Sequence, residues 1–172
     1  MAKGKDLLGL PVVELSSGQE VGRVEDIVLD LETGKIKGLR LKPAGWLFPR
    51  QWLDFSLVRE VGPHAVIFEL AEEGEDEKKK SEGEREKESE ASSEKIRGVK
   101  DLRGQRVLAP EGREIGIVED VEVDAFCGAI RGWEVSPSLL SNLLGERIFL
   151  PSAEIALYGA DRIITREDRG GG

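Results

Sequence analysis

Three acidic residues, Glu25, Asp26 and Asp30, recur at matching spacing as Glu119, Asp120 and Asp124. Grouped carboxylates can exchange protons with a substrate or hold a hard cation such as Ca²⁺ or Mg²⁺. They can also satisfy backbone N–H groups. Asp30 and Asp124 each open a short turn, Asp30 to Gly34 and Asp124 to Gly128, where an aspartate oxygen accepts an amide two or three residues on. Glu25-Asp26 and Glu119-Asp120 fall where the strand pattern breaks, which leaves amides in need of acceptors. The structural use is the leading expectation, with weak divalent binding and acid–base chemistry as alternatives. His64, the one histidine, sits beside Pro63 in a turn, and its counterpart in the second half is Asp161. Cys127, the one cysteine, lies in the hairpin turn of the other half. A nucleophile needs a base and an orienting group within reach, and a tetrahedral zinc site needs several Cys and His ligands, so neither chemistry is supplied. No glycine-rich loop has the spacing of a phosphate cradle. The expectation is a protein that is not an enzyme and carries no cofactor and no metal.

A different kind of chemistry is offered by two loops. Pro43 to Arg50 contains Trp46, Leu47 and Phe48, and Ser136 to Gly145 contains Leu139, Leu140, Leu143 and Leu144. Both are more apolar than a solvated loop, and an apolar patch of this size marks a contact within the fold or a partner site. These seven residues are the candidate interaction surface. They are expected to pack one half on the other or form a dimer, to dock another protein with Trp46 and Phe48 as anchors, or to cap each half's own open end.

The elements that must hold these loops occur twice. Lys5-Asp6-Leu7-Leu8-Gly9 returns as Lys100-Asp101-Leu102-Arg103-Gly104, and Gly18 to Ile27 returns as Gly112 to Val121. The offset near 95 residues identifies a duplicated domain rather than a short solenoid repeat. Within each copy the pattern is of short strands and tight turns. Ile27, Leu29 and Leu31 alternate on one face, and Val24 is out of phase with them by one residue. Val121 and Val123 alternate in the same way, with Val118 out of phase. A β-bulge at Glu25-Asp26 and another at Glu119-Asp120 account for both breaks, because one extra residue flips the parity and bends the strand. Hairpins follow at Gly34 and Gly128. Trp52 to Val58 reads as a strand, and Pro151 to Glu154 as a short helical turn. The expected fold is all-β, with five or six antiparallel strands per copy closing into a small barrel.

Four segments result: residues 1–71 and 96–168 are the barrels, 72–95 is a linker and 169–172 a flexible tail. The linker holds eleven acids and six bases and no aliphatic residue larger than alanine, so it cannot bury enough surface to offset its ordering entropy. A domain of about 70 residues buries only about 60% of its unfolded surface, so pairing of the two copies, or a homodimer, is expected. The net charge of −9 disfavours direct nucleic-acid binding. No apolar run reaches the length of a membrane span. A single cysteine excludes an intrachain disulfide and suits the cytoplasm.

The ordered set of motifs resembles the PRC-barrel family. Its aspartate-leucine-x-glycine opening, glycine-rich turn, bulged valine-glutamate-aspartate strand and aspartate-led hairpin correspond to Asp6 to Gly9, Gly18 to Gly22, Val24 to Ile27 and Asp30 to Gly34. The second copy supplies Asp101 to Gly104, Gly112 to Gly116, Val118 to Val121 and Asp124 to Gly128. The resemblance implies a six-stranded β-barrel and a role in protein–protein contact. Family members include the H subunit of photosynthetic reaction centres, which has a membrane helix that this chain lacks, and a ribosome maturation factor whose N-terminal barrel is of a different kind. The resemblance thus implies an adaptor with an unidentified protein partner. The alternative it raises is an accessory factor in ribosome assembly or RNA metabolism that acts through a ribosomal protein.

Overall fold

A computed structural model describes residues 1–45, 50–70, 94–137 and 146–166. The fold is all-β, built as two sheets that curl into half-barrels. The first copy contributes β1 (Ala2–Lys3), α1 (Gly4–Leu7), β2 (Pro11–Glu14), β3 (Glu20–Asp30), β4 (Lys35–Pro43), β5 (Trp52–Asp54), β6 (Val58–Val61) and β7 (Val66–Phe68). The second contributes β8 (Ile96–Gly98), α2 (Val99–Leu102), β9 (Arg106–Leu108), β10 (Glu114–Val123), β11 (Ile130–Pro137), β12 (Ile148–Pro151), β13 (Ile155–Tyr158) and β14 (Arg162–Thr165). One sheet runs β5-β4-β3-β2-β7-β6, and the other β12-β11-β10-β9-β14-β13.

The long strands β3 and β10 bend as their sequences require. The pairing of β3 with β4 slips between Val24 and Asp26, and that of β10 with β11 slips between Val118 and Asp120. Each slip turns the residues on both sides of it inward, so Val24 and Ile27, and likewise Val118 and Val121, all reach the core. Further slips at Val28/Leu29 and Glu122/Val123 add to the bend. The hairpins close with Gly34 at φ 69° and Gly128 at φ 73°, a left-handed conformation that only glycine adopts without strain.

Three features differ from the sequence-based expectation. The sheets are not wholly antiparallel: β2 runs parallel to β7, and β9 parallel to β14. In each copy the last strand returns beside the second, β7 beside β2 and β14 beside β9. Phe55–Leu57 is a 3₁₀ turn rather than strand, capped by Asp54, whose side chain accepts from the Ser56 amide. Its equivalent in the second copy is the expected turn at Ser152–Glu154. Finally, each copy has a four-residue α-helix near its start, α1 and α2.

These helices and the strands before them are exchanged. β1 does not join the sheet of its own copy but pairs with β10, Lys3 facing Glu122. β8 pairs in the same way with β3, Gly98 facing Val28. The β3–β4 and β10–β11 hairpins also meet: the Ile36 amide donates to the Gly128 carbonyl and the Ile130 amide to the Gly34 carbonyl, both at 2.8 Å. Every one of these contacts has a counterpart with the copies interchanged, so an approximate twofold axis passes between Lys35 and Ala129, which bridge each other. The buried side chains of both copies, from Leu7 through Trp133 to Ile163, form one contiguous apolar cluster.

Candidate functional site

The exchange creates two equivalent sites around the repeated bulge aspartates. The bulge exposes one strand amide, and each aspartate satisfies its own: the Ile27 amide donates to Asp26 Oδ1 at 2.8 Å, and the Val121 amide to Asp120 Oδ1 at 2.9 Å. The remaining acceptor capacity goes to the other copy. The Lys100 amide, in the first turn of α2, donates to Asp26 Oδ1 at 3.2 Å. The Lys5 amide, in the first turn of α1, lies 3.2 and 3.1 Å from the two oxygens of Asp120. First-turn amides have no partner inside a helix, so a buried opening segment needs an external acceptor. Both aspartates are 2% exposed. Burial pushes the Asp26 carboxyl above the usual carboxylate range, against the pull of the Lys100 and Ile27 amides and of the Arg40 and Lys100 charges.

Asp30 and Asp124 serve their hairpins. Asp30 Oδ1 accepts from the Glu32 and Thr33 amides at 3.0 and 3.1 Å. Asp124 Oδ1 accepts from the Phe126 and Cys127 amides at 2.9 and 3.1 Å, and its Oδ2 from Arg131 at 2.7 Å. The four repeated aspartates are therefore hydrogen-bonded to backbone amides. His64 and Cys127 are exposed.

One neighbour of each site breaks the symmetry. Arg40, across the pair from Asp26, places Nη1 3.8 Å from that carboxylate. The equivalent position opposite Asp120 is Glu134. This carboxylate, 7% exposed, receives Lys3 Nζ from the first copy at 2.7 Å and Arg147 from its own. The hydrogen bonds from Lys3 and Arg147 lower its pKa from the usual 4.5 to about 2. Sequence reasoning singled out Asp26 and Asp120 but missed Lys3, Gly98, Arg40 and Glu134. The available signal was a pair of equivalent strand positions, 40 and 134, carrying opposite charge.

The predicted interaction residues Trp46, Leu47, Phe48, Leu139, Leu140, Leu143 and Leu144 lie outside the described residues. The segments flanking them are described. Arg50 stacks over the Phe68 ring at 5.6 Å. Ile148 and Phe149 begin β12 at the end of the sheet order, 41% and 45% exposed.

A family model for the PRC-barrel domain matches residues 1–73 and again 94–171. The chain belongs to the PRC-barrel family. The two matches make it a tandem PRC-barrel protein, and each match includes an opening segment that docks on the opposite PRC barrel. Curated proteins yield no match to the chain. Among the described residues, no helix is long and apolar enough to cross a membrane.

Two outcomes follow. Asp26→Ala and Asp120→Ala each leave two amides without their acceptor, and each is expected to cost about 1–3 kcal/mol in urea unfolding. The pH dependence separates Glu134 from Asp26. Glu134 has a lowered folded pKa, so its contribution is complete above pH 4.5 and is lost as pH falls towards 2. Asp26 has a raised folded pKa, so protonation favours its folded form and its contribution grows as pH falls through the raised value. The stability gap between wild type and Glu134→Gln should therefore be full at neutral pH and close on acidification. A gap independent of pH would contradict the Lys3–Glu134 contact.

Proposed function

We propose that the protein is a non-enzymatic adaptor that docks another protein through the exposed apolar edge of β12. The observation that supports this reading is the exposure of Ile148 and Phe149 on a strand at the end of its sheet. Such a strand offers backbone N–H and C=O groups to an added strand, and alternate side chains give it specificity. Leu139, Leu140, Leu143 and Leu144 precede this strand by a few residues in the sequence and are proposed to belong to the same docking segment. Trp46, Leu47 and Phe48 hold the matching place in the first copy.

A non-enzymatic role is favoured by the use of the repeated aspartates as acceptors for backbone amides and by the assignment of His64 and Cys127 to different copies. The partner is a protein rather than a nucleic acid, since the chain carries a net charge of −9. An exposed, lone thiol suits a reducing compartment, and the cytoplasm is the proposed location.

The experiment is cross-linking in cells followed by affinity purification of wild type and of Ile148→Ser with Phe149→Ser. Both side chains are substantially exposed, so the double variant should stay folded by circular dichroism. It should lose a protein that wild type recovers, while Leu157→Ser, 57% exposed on β13, should retain it. Ribosomal proteins among those lost would place the adaptor in ribosome assembly. Identical recovery by wild type and double variant would refute the β12 edge as the docking site.

A further inference from the structure

We propose that the residues facing each other across the exchanged openings form a recognition code, which admits only the unlike opening to each PRC barrel and so excludes pairing of two like halves. The two sites can be superposed through Lys5 and Lys100, whose amides both donate to a bulge aspartate. In that alignment Lys3 corresponds to Gly98, and Gly4 to Val99. Each opening thus carries one glycine against the aspartate of its dock, but at adjacent positions. At Gly4 a Cβ would stand 2.6 Å from Asp120 Oδ1 and 3.0 Å from Val121 Cγ1. At Gly98 a Cβ would collide with Asp26 Oδ2.

Both like pairings are disfavoured on this geometry, because each forces a buried, hydrogen-bonded aspartate to shift. The first opening laid on its own sheet would bring Lys3 to the place of Gly98, driving its Cβ into the Asp26 carboxylate and its ammonium towards Arg40 instead of Glu134. The second opening laid on its own sheet would bring Val99 to the place of Gly4, against Asp120 and Val121. Gly98 would then stand where Lys3 belongs, with no side chain to reach Glu134, leaving that carboxylate one cation short. The openings also touch each other. Val99 Cγ1 lies 3.6 Å from where a Gly4 Cβ would be, so the valine fills the room left by the glycine. Two valines would clash there, and two glycines would leave a gap. Favourable contacts in the unlike pair are thus joined by repulsive and steric elements against the like pairs, which is how specificity between similar partners is built.

The test uses the full chain with a protease site placed between residues 72 and 93, outside the described elements. The folded protein is cut, unfolded in urea, refolded by dilution and weighed by native mass spectrometry. The expected result is that every two-chain species contains one N-terminal and one C-terminal half. Like pairs in the proportions of chance would overturn the proposal. Should the cut halves fail to refold, the intact chain decides through urea unfolding of Lys3→Ala, Glu134→Gln and the double variant. The double variant is expected to raise the unfolding constant about tenfold less than the product of the singles. Simple multiplication of the single effects would overturn the Lys3–Glu134 element of the code.

Discussion

An amide at the start of a buried helical turn must have an acceptor, and in this protein the acceptor belongs to the other copy. That single requirement ties the duplicated halves together. Asp26 holds the Lys100 amide and Asp120 the Lys5 amide. Neither PRC barrel completes the backbone hydrogen bonding of its own opening. The cost of burying a carboxylate is offset at each site by two amide donors, one from the bulge and one from the arriving turn. The bulge therefore does more than bend the strand. It brings an aspartate to the seam between the copies and gives that aspartate a first partner, which fixes its orientation for the second.

The exchange also explains how two small sheets reach a stable size. A half of this length buries too little apolar surface for a secure core. Crossing the openings merges two marginal cores into one, with Leu7 and Val99 as well as Leu102 fully buried in the shared cluster. The hairpins that meet at Gly34 and Gly128 add two further backbone hydrogen bonds between the copies. With structural duties concentrated there, the repeated aspartates are committed to hydrogen bonds within the fold, while Ile148 and Phe149 on β12 stay exposed.

Much of the fold was legible because periodicity reports it directly. The slip between Val24 and Ile27 located the bulge, and Gly34 and Gly128 located the hairpins. The parallel pairing of β2 with β7 was not legible, since strands alternate with the same period whichever way they run. Trp52 to Val58 read as one strand because its 3₁₀ turn is as apolar as the strands around it. The exchange was hidden for a subtler reason. The two copies are so alike that either opening satisfies the pattern of either sheet. Only side chains that differ between equivalent positions, Lys3 against Gly98 and Glu134 against Arg40, carry the information about which goes where. The site residues proposed from apolar loop composition fall outside the described structure, so the carboxylates rather than the loops connect sequence to geometry here.

Nuclear Overhauser contacts in isotopically labelled protein test the exchange most directly. The structure predicts cross-strand contacts between Lys3 and Glu122 and between Gly98 and Val28. Contacts joining Lys3 to Val28 and Gly98 to Glu122 would place each opening on its own sheet and contradict the account.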